Sequence, residues 1–134
     1  MNTRALIVLA HGARERAWTA PLDALAARLR GLLPGVAVRT AYLERFAPRL
    51  DEALAALAAE GIRDVVVLPV LWAPDGQVLH DLPPMLADAE SAGLNVRVMP
   101  TLSELPGLID FVALAAAKAA RAGSAEIEDR LRVP

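Results

Sequence analysis

Three observations predict an α/β protein built on a four-stranded parallel sheet with helices on both faces in a three-layer sandwich, for which 2-1-3-4 is the common small strand order. Two short runs, ALIVLA at 5–10 and VVVLPVL at 65–71, are almost uninterruptedly apolar, as strands covered on both faces are. Between such runs, leucine and alanine recur at helical spacing. The two patterns alternate four times with short joints punctuated by Pro or Gly, which implies β–α units joined by crossover helices. In the 2-1-3-4 order the chain reverses direction between the first and third strands, and a ligand crevice opens there, beyond the carboxyl ends of the strands.

Each element has its own grounds. Leu6 to Ala10 is the first strand, and His11-Gly12 stands directly at its end. The loop through Thr19 leads to a helix with Pro21 in its first turn and a stripe of Leu22, Leu25, Ala26, Leu29, Leu32 and Leu33, stopped by Pro34-Gly35. Val36 to Leu43 carries β-branched residues in loose alternation and forms the second strand, whose end presents Tyr42, Glu44 and Arg45. Pro48 opens a second helix with Leu50, Ala53, Leu54, Leu57 and Ala58 on its buried face, and Gly61 closes it as a left-handed cap. Asp64 to Leu71 is the most continuous β-branched run and predicts a central strand, with Pro69 near its end.

Trp72 to Leu79 then reads as a loop. Asp81 caps a third helix with Pro83 and Pro84 in its first turn and Gly93 after it. Asn95 to Met99 is the fourth strand. Leu105 to Ala122 is the last helix, with Leu108, Ile109, Val112 and Ala116 on one face. Residues 1–123 are expected to form a single domain, followed by a mobile or weakly helical tail at 124–134.

Composition narrows the function classes. A net charge of -2 and a pI near 5.6 give no general reason to bind nucleic acid or an anionic membrane. The absence of cysteine excludes disulfides, thiol catalysis and iron–sulfur ligation. With no long apolar segment, a soluble cytoplasmic protein is the expectation. Chemistry falls to two histidines, His11 and His80, and to the polar groups that strand-end loops bring beside them, chiefly Glu44 and Gln77.

The stretch HGAR at 11–14 with Trp18 and Pro21 behind it, AYLE at 41–44, LPVLW at 68–72, DGQVLHDLP at 75–83 and PTLSELPGL at 100–108 together resemble the small CbiX-type class II chelatases. These are the sirohydrochlorin cobalt or iron chelatases, with a chelatase-like, flavodoxin-like fold. The resemblance implies insertion of Co²⁺ or Fe²⁺, or Ni²⁺, into a tetrapyrrole, with no organic cofactor and usually in a homodimer. Insertion removes two pyrrole protons and strips water from the ion, so it calls for imidazoles that ligate metal or accept protons. The histidine after strand 1 falls on His11, and the glutamate ending strand 2 on Glu44.

The second family histidine is absent. Aligning on Asp81-Leu82-Pro83 puts Gln77 at its place, and His80 follows three residues later as the alternative metal ligand. A glutamine amide oxygen ligates weakly and accepts no proton at neutral pH. The carboxylates of a sirohydrochlorin need local cations, and Arg14 and Arg45, with Arg16 and Arg49 as further candidates, lie on the expected edge. Trp18 and Trp72 stand beside strand ends, where large apolar residues more often complete the core than contact a macrocycle. Two functions follow: an active chelatase using His11 with Glu44, His80 and Gln77, or a non-catalytic carrier of a tetrapyrrole or metal.

Overall fold

The structure, a computed structural model, describes residues 3–12, 19–44, 46–74 and 76–122, without the side chains of 77–79. Arg14, Arg16, Trp18, Arg45 and the tail at 124–134 lie outside the described residues. The chain divides into two compact units, residues 1–102 and 103–134.

The first unit holds four parallel strands, β1 (Arg4–Ala10), β2 (Ala37–Tyr42), β3 (Asp64–Pro69) and β4 (Asn95–Val98), in the order β2-β1-β3-β4. Central β1 pairs with β2 from Ala5↔Ala37 to Ala10↔Tyr42 and with β3 from Arg4↔Asp64 to Leu9↔Pro69. Its apolar run is explained by its two covered faces. Ala5, Ile7 and Leu9 join one cluster with Leu50, Ala53, Leu54 and Leu57 of α2 (Leu50–Ala59) and Ala89 of α3 (Gly76–Ser91). Val8, with Leu6 and Ala10 against it, joins another with Leu22 and Ala26 of α1 (Ala20–Leu32). Ile7, Val8 and Leu9 are fully buried, so period-2 alternation splits one sequence run between two cores.

Most element ends move by one to three residues, and three expectations are corrected. Leu32 is 69% exposed, so the buried stripe of α1 stops at Leu29 and the half-buried Leu33. Tyr42 is not presented at a strand end; it is buried among Val8, Leu22 and Val38, with its ring edge-on to Phe46 at 5.5 Å. The third helix begins at Gly76, not at Asp81, and carries Pro83 and Pro84 in its interior. Proline is best tolerated in a first turn, which is why the pair read as a helix start. Inside α3 they deprive only the carbonyls of Leu79 and His80 of their i+4 donors, and the helix runs through.

The second unit contains α4 (Leu108–Arg121), entered from Gly107 at φ +85°, with Asp110 in its first turn and Lys118 and Arg121 in its last. This charge order suits the helix dipole. Ile109, Phe111, Val112 and Leu114 on α4 are exposed.

Candidate functional site

β1 and β2 end side by side, and their ladder continues past the last strand residues. The Ala10 carbonyl accepts the Leu43 N–H at 2.9 Å, and the His11 carbonyl accepts the Glu44 N–H at 3.0 Å. Two residues that carry chemistry are thereby delivered in register from strands that are adjacent in space but 33 positions apart in sequence. Their side chains meet: His11 Nε2 lies 3.2 Å from Glu44 Oε1, with 40% and 43% of the two side chains exposed. An imidazole nitrogen and a carboxylate oxygen that converge like this share a proton or a cation, and partial exposure leaves room for a ligand to reach them.

Beside His11 a cavity of about 290 Å³ opens on the α1 side of the sheet, walled by Pro21, Leu22, Tyr42, Val70 and Leu71, with the buried Thr19 at the start of α1. Its walls are mainly apolar, the surface a flat hydrophobic ring edge can use. A larger cavity of about 390 Å³ lies at the opposite ends of the strands, with Arg4, Asp64, Asn95 and Arg97 around Leu6 and Val66. It holds neither histidine, so the chemistry belongs to the His11 end.

The sequence candidates divide clearly. His11 and Glu44 are brought into contact. His80 is exposed in the second turn of α3 and does not line the His11 cavity. Gln77 stands in the first turn of the same helix. Arg49 is exposed just before α2, held by a parallel bridge to Tyr42, and its N–H donates to Glu52 Oε1 at 3.0 Å. Trp72 is 58% exposed and so is not core. Among the described residues, no group of three or more His, Asp or Glu side chains could hold a metal ion. Thr19 is a cavity wall without a place among the sequence candidates, its only signal being a threonine two residues before a helix-opening proline, and Tyr42, expected at the strand end, serves as a buried wall.

A family model for CbiX matches residues 5–119, nearly the whole of both units as described. The chain belongs to the CbiX family. Among relatives of this CbiX chain, the sirohydrochlorin cobaltochelatase of Sulfolobus acidocaldarius is 27% identical over 108 residues, covering 74% of this chain and 86% of that protein. A crystal structure of a CbiX protein from Marinobacter aquaeolei VT8 matches with a TM-score of 0.71 at 22% identity, over 89% of this chain and 99% of that one. The sirohydrochlorin chelatase SirB from Bacillus subtilis subspecies spizizenii, in complex with cobalt, matches with a TM-score of 0.72 at 17% identity, over 96% of this chain and 58% of that longer one. At these identities the two structures show a shared fold. The order 2-1-3-4 is thus the CbiX fold, and no described helix is long and apolar enough to cross a membrane.

Proposed function

We propose that this chain inserts Co²⁺ or Fe²⁺ into sirohydrochlorin or a related tetrapyrrole, with His11 and Glu44 handling the ion and the released protons. The observation that carries the reading is the 3.2 Å approach of His11 Nε2 to Glu44 Oε1 at the end of β1 in a CbiX chain. A divalent ion bonded at about 2.1 Å to both atoms would separate them by about 3.0 Å at a right angle and about 3.4 Å at a tetrahedral angle. The observed spacing falls between these values, so both atoms could bond one ion without a large change in their separation. Two donors hold an ion weakly, which suits a metal that must leave for the four nitrogens of the ring. An imidazole next to a carboxylate is also a competent acceptor for the pyrrole protons.

His80 is the third candidate for metal and catalysis. Because α3 starts at Gly76, positions 77 and 80 stand one turn apart, about 4.5 Å along the axis, so His80 offers an imidazole one turn beyond the place of the family histidine. Gln77, and Arg14, Arg45 and Arg49 from the loops, are proposed to hold substrate carboxylates and the ring edge. The homologous cobaltochelatase and the cobalt-bound SirB fold support a divalent metal substrate. A homodimer belongs to the same proposal, on the strength of the CbiX family.

The test is spectrophotometric: Co²⁺ or Fe²⁺ insertion into sirohydrochlorin by purified protein against the uncatalysed rate. Acceleration lost in His11→Ala is the expected result, and no acceleration by wild type overturns the reading. Ring or metal binding without acceleration would favour the second reading, a carrier, which the glutamine at position 77 motivates.

A further inference from the structure

His11 and Glu44 come from different strands, and something must fix how closely their loops approach. Gly12 lies at the contact. It has φ +125°, and a Cβ placed on it would overlap the Glu44 carbonyl oxygen while standing 3.2 Å from the Glu44 carbonyl carbon and 3.5 Å from its Cγ. The obstruction is main chain, which cannot swing aside as a flexible side-chain end can. Gly35, Gly61 and Gly107 also have positive φ, yet a Cβ on any of them meets nothing within 4 Å. Their glycines answer to backbone conformation alone. Gly12 answers to conformation and to the Glu44 peptide lying flush against it, one residue past the bond in which the His11 carbonyl accepts the Glu44 N–H.

We propose that Gly12 is a positioning residue for metal handling: its missing side chain lets the β1 loop lie on the Glu44 peptide and so sets the separation of His11 Nε2 from Glu44 Oε1. This rests on the reading of that pair as the metal-handling pair. A methyl group at position 12 must push the two loops apart by about 1 Å to restore ordinary contact. Misplacement on that scale at a reacting centre costs on the order of 100-fold in rate. The pair would then lose the spacing that lets both atoms bond one ion, although neither side chain has been altered.

The experiment measures Co²⁺ binding by the purified protein through the cobalt absorption bands, separately from insertion into the ring. Gly12→Ala is expected to bind Co²⁺ about 10- to 100-fold more weakly, as losses of metal-supporting groups do. Gly35→Ala, strained but unobstructed, is expected to bind as wild type does. In a double-mutant cycle, Gly12→Ala is expected to cost little further once Glu44→Gln is present, whereas a purely structural defect would add its full effect. Should Gly12→Ala fail to fold, Glu44→Asp carries the test. A loop spacing fixed by Gly12 prevents the shorter carboxylate from closing the gap, so about tenfold weaker binding is expected, and unchanged binding overturns the proposal. Wild-type affinity in folded Gly12→Ala, or full additivity, also overturns it. A wild-type protein that binds Co²⁺ but accelerates no insertion refutes the chelatase reading and leaves this proposal standing; one that accelerates insertion but binds no Co²⁺ refutes this proposal and leaves the chelatase reading standing.

Discussion

His11 and Glu44 meet 3.2 Å apart because a backbone ladder carries both past the ends of their strands, so their encounter owes little to side-chain freedom. Removing either group should therefore be felt directly. His11→Ala and Glu44→Gln are expected to lower the insertion rate about 100- to 10,000-fold, the range for lost acid–base groups, with kcat falling more than KM rises. His80→Ala is the sharper comparison: a loss equal to that of His11→Ala places His80 on the ion, and a silent result leaves His11 and Glu44 to act with Gln77. Away from the site, Arg39 Nη1 and Nη2 donate to the two carboxylate oxygens of Glu60 at 2.8 and 2.7 Å. That hydrogen bonding holds the Glu60 carboxyl below its usual range and raises the Arg39 guanidinium. A carboxyl depressed in the folded state stabilises above its unfolded pKa, and the contribution disappears as pH falls through the folded value. Urea midpoints of wild type and Glu60→Gln should consequently differ slightly at neutral pH and converge on acidification. Because both side chains are substantially exposed, 40% and 48%, added salt should shrink the neutral-pH difference as well.

At the scale of elements, β1 and α2 are the parts whose loss would be most severe, since they meet in the larger core. Leu57 is fully buried there, and Leu57→Ala is expected to cost about 2–5 kcal/mol in urea denaturation. Pro84 in α3 leaves the His80 carbonyl without its helical donor, so Pro84→Ala should raise the melting temperature while firming the turn that bears His80. The sheet was legible because strands buried on both faces announce themselves by unbroken apolar runs, and β–α alternation implies parallel strands; the alternation leaves the strand order open, and the observed 2-1-3-4 is the common small arrangement. The start of α3 is hidden in the sequence because Pro83 and Pro84 satisfy the rule for a first turn, while GQVLH before them, with a glycine and a β-branched valine, has a weak helical preference. Tyr42 was read as presented at the strand end for a similar reason. Sequence alternation says which residues share a face, but the Tyr42 ring turns inward because Phe46 and the α1 leucines occupy that face. Glu44 beside His11 was legible as a placement at a strand end; the contact itself required the ladder to run on past both strands.

The molecule as a whole presents two units, and its association state is the property most open to direct measurement. Light scattering or sedimentation is expected to give the mass of a dimer, and Phe111→Ser with Leu114→Ser on α4 should shift it toward the monomer. The strand order has a further effect on how the site comes apart. β1 is bonded along its length on both sides, whereas β2, which leads to Glu44, is paired on one side only by β1. Local opening should begin at such an edge and reach the centre only on global unfolding. In amide hydrogen exchange, Val38 to Tyr42 are therefore expected to lose protection before Leu6 to Ala10. The histidine would stay anchored while its carboxylate partner departs and returns, a reversible gap through which a held ion could be let go without disturbing the core.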